Sequence, residues 1–193
     1  SFRHDYINIM ASLAAYIDEK KYEELGTYFY EHILPMQKNL TQKNGALNNL
    51  SNVNILELKS ILYTKLLLAV NQDIEVNIDI PDQIDSIHIE PVDLTRMLGI
   101  YLDNAIEACL ETEHPVINFH LGKMNQDIVF IISNSFIDKG LSVDQMLKKE
   151  VTTKGAGHGI GLYNVSEVLN RYNNIYQETL IKEGLFIQQV QIS

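Results

Sequence analysis

Three short segments carry residue types whose spacing suits phosphoryl chemistry. The first is Lys154-Gly155-Ala156-Gly157-His158-Gly159-Ile160-Gly161-Leu162. Glycine at every second position lets the backbone approach a ligand closely and take positive φ. The run leads into a helix, whose first N–H groups favour phosphate. Lys154 adds a point charge for a terminal phosphate. A glycine-rich turn before a helix also has the composition of a plain flexible loop. The run is no dinucleotide fingerprint, because no strand precedes it, and no Walker loop, because no Lys-Ser/Thr pair follows the last glycine.

The second segment is Leu102-Asp103-Asn104-Ala105-Ile106-Glu107-Ala108. Asn104 and Glu107, three apart on a helix, share a face. Apolar flanks half-bury Asn104, and a buried amide must be paired. Either it is a satisfied structural residue, or it is an oxygen ligand for a hard cation such as Mg²⁺. The third segment is Arg3-His4-Asp5-Tyr6-Ile7-Asn8. His4 and Asn8 lie one helical turn apart. The adjacent Asp5 carboxylate can orient the imidazole and take its proton, which exposes a nucleophilic nitrogen. A lone helical histidine is otherwise structural or solvated.

The elements that must position these residues follow from apolar periodicity. Phe2, Tyr6, Ile9, Leu13 and Tyr16 form a heptad-like stripe, continued by Tyr22, Leu25, Phe29 and Ile33 after the polar stretch Asp18–Lys21. The spacing predicts one helix from His4 to Leu34, roughly 45 Å at about 1.5 Å per residue. Pro35 and Lys38–Gly45 read as its end and a turn. Leu47, Leu50, Val53, Leu58, Ile61, Leu62, Leu66 and Ala69 predict a second helix running back. Two helices bury too little alone, so the hairpin should pair with a second copy as a four-helix bundle.

After residue 71 the pattern changes. Val76, Ile78 and Ile80 alternate into a strand, and Ile87 and Ile89 suggest another short one. Pro91 opens a long helix through Leu94, Leu98, Leu102, Ile106 and Leu110. Val116–Leu121 and Ile128–Ile132 read as paired strands about a Lys123–Asp127 turn. Ser135–Lys154 is irregular, with one short helix near Asp144–Leu147. Gly159–Leu169 is helical, and Ile175–Ile181 with Leu185–Ile192 forms a hairpin turned at Glu183-Gly184. The fold class is therefore α+β: a helical hairpin over 1–71, then a layered α/β sandwich over 72–193.

Composition narrows the function. Twenty-five acids against 15 Lys and Arg give a net charge of −10 over 193 residues. That balance disfavours nucleic acid and anionic membrane surfaces as partners. The single cysteine, Cys109, excludes an internal disulfide and a multi-cysteine zinc site. It reads as a packed core residue. His32, His88, His114, His120 and His158 show no metal-ligand spacing. No apolar run approaches the ~20 residues of a membrane span. The chain starts without an initiator Met, as a fragment of a longer protein would.

Taken together, Phe2-Arg3-His4-Asp5-Tyr6 with Asn8, Leu102–Ala108, and Thr152–Leu162 resemble a bacterial sensor histidine kinase. The set is most similar to the peptide-pheromone receptor kinases of Gram-positive quorum sensing. The resemblance implies a dimerisation and phosphotransfer hairpin at 1–71 and a Bergerat-type ATP-binding domain at 72–193. It implies His4 as phosphoacceptor, Asp5 as its proton-removing neighbour and Asn104 as the ligand of an Mg²⁺ that bridges the ATP phosphates. Lys154 would cradle the phosphates with Gly157, Gly159 and Gly161, the glycine box of a mobile lid. Asn134 would stand where relatives place an adenine-contacting Asp, and Asn8 would orient water for a phosphatase activity. The implied partners are a second copy of the chain and a response regulator. The implied location is the cell membrane for the full receptor, through a sensor region upstream, and the cytoplasm for this part.

The sequence departs from that pattern at three places. Ser133-Asn134-Ser135-Phe136 replaces the usual Asp-x-Gly-x-Gly box. Ile100 stands four residues before Asn104, where ATP-hydrolysing cousins carry a water-activating Glu, which favours transfer to a protein acceptor over hydrolysis. Glu107 stands where many histidine kinases carry a base. Two other readings share these residues: a serine/threonine kinase of the anti-sigma type, which needs no His4, and a non-enzymatic dimeric phosphotransfer scaffold.

Overall fold

The computed structural model describes residues 2–33, 46–140, 142–146 and 160–193. The chain divides into two compact units, Ser1–Lys43 and Asn44–Ser193.

The first unit holds helix α1 (Phe2–Asp18), helix α2 (Tyr22–Tyr28) and a π-helical turn, Phe29–Ile33. The single helix expected from His4 to Leu34 is interrupted. Lys20 takes φ 57°, the Lys20 N–H donates to Ile17 O at 3.0 Å, and the Lys21 N–H reaches back to Tyr16 O at 2.9 Å. That bond pair is a Schellman stop, formed here without the usual glycine. The local reason is Asp18-Glu19-Lys20-Lys21: four charged residues give the stripe nothing apolar to continue on, and Lys21 pairs with Glu19. Beyond the break, Tyr28 stacks at a tilt on Tyr16, with ring centroids 5.3 Å apart. No side chain described in this unit is buried; Ile17, Tyr22 and Tyr30 are 51, 62 and 68 % exposed.

The second unit starts with a 3₁₀ segment, Ala46–Asn52, followed by helix α3 (Leu56–Asn71). Expected as one return helix of the hairpin, residues 47–70 instead break at Val53, which bridges Ile84 in parallel. The second compact unit begins at Asn44, so α3 belongs to it. The cause is burial: Leu58, Leu62, Leu66 and Ala69 are all fully enclosed in the core that also covers the sheet. An apolar helix face lacking a local partner packs wherever the largest apolar surface lies, and here that is the sheet layer.

Strands β1 (Glu75–Asp79), β2 (Val116–Met124), β3 (Asp127–Ser135), β4 (Ile175–Lys182) and β5 (Leu185–Ile192) form one sheet, ordered β1-β2-β3-β5-β4. The β1–β2 pair is parallel and the rest antiparallel. Strict alternation sends Val76, Ile78, Ile117, Phe119, Leu121, Ile128, Phe130, Ile132, Val190 and Ile192 to one face, where they join the core. Glu183 and Gly184 both take positive φ (52° and 77°), the two-residue turn that suits a right-twisted hairpin. The short strand expected at Ile87–Ile89 is absent. That stretch lies between Pro81 and Pro91 and buries Ile89 as a loop residue. Helix α4 (Pro91–Cys109) packs on β3 and α3, helix α5 (Val143–Met146) is a single turn, and helix α6 (Ile160–Leu169) packs beside α4. Among the described residues no helix is long and apolar enough to cross a membrane.

Candidate functional site

The site grows from α4. Pro91 occupies its first turn, and Leu94, Leu98, Leu102 and Ile106 are buried along one side. Asn104 falls on the flank of that stripe and is half-buried. Its carboxamide makes no hydrogen bond among the described residues. The preceding residue is fixed: Lys65 Nζ on α3 lies 2.7 and 2.8 Å from the two carboxylate oxygens of Asp103. Close α3–α4 packing permits this, since a Cβ on Gly99 would already touch Ile61 at 3.8 Å. Ile100, one turn before Asn104, is half-buried and packs on the core. It offers no base for water.

The end of α4 is tied to the end of β3. The Cys109 thiol donates to Val116 O at 3.2 Å and lies 3.6 Å from Ser135 O. Burial pushes that thiol's pKa up, against the pull of the Ser135 hydroxyl, which donates to the sulfur at 3.4 Å. The Ser135 hydroxyl accepts from the Val116 N–H at 3.0 Å and lies 3.1 Å from Thr112 Oγ1. Asn134, the residue before, is 2 % exposed and lies on the core face of the sheet. Its Nδ2 donates to Ser135 O at 2.9 Å, which leaves Oδ1 as the atom available to accept. Asn104 and Asn134 therefore stand on two elements locked to each other through Cys109 and Ser135. Asn104 lies five residues before Cys109, about 7.5 Å back along the helix axis.

Polar groups also occupy the core face of the hairpin β4–β5. Tyr101 on α4 donates to Gln177 Oε1 at 2.7 Å, and Gln177 Nε2 lies 3.5 Å from the Ser166 hydroxyl on α6. Burial raises the Tyr101 phenol well above its usual range. Gln188 on β5 is buried, and its Nε2 has no partner among the described residues.

Of the residues read from the sequence, Asn104 and Asn134 lie in the same unit, on helix α4 and strand β3, which pack against each other. Gly161 is the second residue of α6, while Lys154, Gly157 and Gly159 lie outside the described residues. His4, Asp5 and Asn8 fall within α1, in the other compact unit. Lys65, Ser135 and Gln188 were not legible in the sequence. Each matters through a partner between 23 and 38 positions away, or through a burial that only strand register creates. Among the described residues no three His, Cys, Asp or Glu side chains cluster closely enough to hold a metal.

A family model described as the GHKL domain matches residues 89–193. No curated protein matches the chain. Among solved structures, the nucleotide-free catalytic domain of histidine kinase ThkA superposes with a TM-score of 0.59 at 17 % identity, covering 70 % of this chain and 89 % of that one. Full-length ShkA in complex with AMPPNP gives 0.56 at 17 % identity, over 70 % of this chain and 29 % of that one. Histidine kinase AdeS from Acinetobacter baumannii gives 0.55 at 15 % identity, over 97 % of this chain and 94 % of that one. At these identities the likeness is one of fold.

Proposed function

The chain belongs to the GHKL family, and from that premise we propose that it is the catalytic part of a sensor histidine kinase. It binds ATP with Mg²⁺, phosphorylates His4 and passes the phosphoryl group to an aspartate of a response regulator. The observation that carries this reading is the pair Asn104 and Asn134. Each presents an uncommitted side-chain oxygen, and the Cys109–Ser135 contacts hold the two in one frame. ShkA, of similar fold, is known with an ATP analogue bound.

The donor chemistry fits Mg-ATP. A neutral amide oxygen at Asn104 is a hard ligand, which Mg²⁺ accepts alongside phosphate and water. The metal supplies neutralisation of the charge on the phosphates. Asn134 Oδ1 accepts from the amino group of the base. Lys154 with Gly157, Gly159 and Gly161 would cradle the phosphates. At the acceptor, the neutral His4 ring nitrogen forms its bond to the γ-phosphorus as the bond to the ADP oxygen breaks, and Asp5 takes the ring proton. The half-buried Ile100 leaves water without a general base, so transfer to His4 competes with little hydrolysis.

The same reading makes the chain a homodimer. Ile17, Tyr22, Phe29 and Tyr30 in the first unit are all exposed, an arrangement that water disfavours and a second copy would cover. On the motif resemblance, the parent is a membrane receptor of the peptide-pheromone type, and Asn8 orients water for phosphatase action.

Incubation with γ-labelled ATP tests the proposal. The expected label is acid-labile, alkali-stable and lost in His4→Gln. Acid-stable label on a partner protein would favour the serine/threonine kinase, and no label with no nucleotide affinity would favour the scaffold.

A further inference from the structure

Gln188 is the one buried side-chain polar atom left without a hydrogen bond among the described residues, through its Nε2. The residue is 4 % exposed. A buried donor from which nothing accepts is costly to the fold. Packing does not call for an amide there. On the core face its neighbours along β5 are Phe186 and Val190, and across the ladder they are Ile132 and Thr179. Leucine would fill the same space with no orphaned donor. The amide is therefore better explained by an acceptor that arrives from outside the fold.

Register locates that acceptor. Asn134 pairs with Phe186, two residues before Gln188 and on the same face. Gln188 is thus the diagonal neighbour of Asn134, about 7–8 Å away between backbones, one step deeper along the sheet. Asn134 presents an acceptor, because its own Nδ2 is committed to Ser135 O and the amide cannot reverse without losing that bond. Gln188 turns its donor, Nε2, into the buried space, and because no hydrogen bond among the described residues holds either end of this amide, the arriving base sets its orientation. Adenine carries an amino donor beside the ring-nitrogen acceptor N1. Guanine carries the reverse, a carbonyl acceptor beside an N–H donor.

We propose that Gln188 and Asn134 read the base as a complementary pair: Asn134 Oδ1 accepts from the adenine amino group, and Gln188 Nε2 donates to adenine N1. This rests on the nucleotide-binding reading above and specifies it. It also accounts for an asparagine in place of the usual carboxylate, because the second amide supplies discrimination that a single acceptor lacks.

The test measures dissociation constants of the whole chain for ATP, GTP and 1-deaza-ATP, in which a C–H replaces N1, all with Mg²⁺. Wild type should bind ATP about tenfold or more tighter than 1-deaza-ATP, the loss of one hydrogen bond to a buried donor. Gln188→Leu should weaken ATP by a similar factor and leave 1-deaza-ATP unchanged. Its nucleotide-free melting temperature should equal or exceed that of wild type. Equal affinity of wild type for ATP and 1-deaza-ATP overturns the inference even if the variant fails to fold. So does a variant that binds ATP as wild type does, or that loses both nucleotides equally. In those cases nucleotide binding itself stands. A wild-type chain that binds none of the three overturns the kinase reading, and this inference with it.

Discussion

Lys65 holds both carboxylate oxygens of Asp103, at 2.7 and 2.8 Å, and so pins α3 to the residue immediately before Asn104. Asp103 is 46 % exposed, so solvent screens the pair. Lys65→Met should cost no more than about 1 kcal/mol in urea unfolding. Its larger effect should be on Mg-nucleotide affinity, because the turn that carries Asn104 loses its anchor to α3. A variant with wild-type affinity would show that the bridge is structural only.

Asn104→Ala should leave stability within about 0.5 kcal/mol of wild type, because no hydrogen bond among the described residues is lost. Nucleotide affinity in the presence of Mg²⁺ should fall at least tenfold, about 1.4 kcal/mol, with a smaller loss in EDTA. Calorimetry with and without the metal separates the two. An equal loss in both conditions would remove the metal-ligand role.

Asn134→Asp restores a carboxylate but removes the amide donor that now reaches Ser135 O at 2.9 Å. It should cost about 0.5–1.5 kcal/mol of stability while keeping ATP binding, since an acceptor still faces the base. Asn134→Leu should lose the preference for ATP over GTP. Competition binding with the two nucleotides checks both variants.

The exposed apolar side chains of the first unit predict self-association. Ile17→Asp and Tyr30→Asp should shift the whole chain from dimer to monomer in sedimentation, with unchanged nucleotide binding. A wild-type chain that is monomeric at tens of micromolar, or a mutant that stays dimeric, would exclude this surface as the dimer contact.

Stability should decline on the alkaline side. Burial raises the pKa of the Cys109 thiol and of the Tyr101 phenol, and the hydrogen bond to Asp93 raises that of Tyr172. All three are acids whose neutral form the fold favours, so the folded state holds their protons longer than the unfolded chain does. Their contribution is complete below the thiol's ordinary value of 9.0 and is lost as pH rises past it and past 10.0, the ordinary phenol value. Urea midpoints from pH 8 to 11 should fall. Tyr172→Phe should flatten the part above pH 10.

The sequence by itself determined the strands β1 to β5, their turns at Lys123–Asp127 and Glu183-Gly184, and the helix that starts at Pro91. In each case a period-two or helical pattern is bounded by a local signal: a positive-φ pair, a proline, a polar break. Asn104 lay inside the expected helix, whereas Asn134, two positions past the expected strand Ile128–Ile132, was reached only through the family resemblance. What only the tertiary structure decided is where apolar surface without a local partner goes. Residues 56–71 carry a stripe equally suited to a hairpin or to a sheet. The burial of Leu58, Leu62 and Leu66 against α4 and the sheet places them with the second unit. The Schellman stop at Lys20 left one trace in the sequence, a six-residue step from Tyr16 to Tyr22 that breaks the three–four spacing of a continuous stripe. Lys65, Ser135 and Gln188 left none. A salt bridge, a hydroxyl link and an orphaned amide are defined by partners distant in sequence, and helix packing and strand register choose those partners.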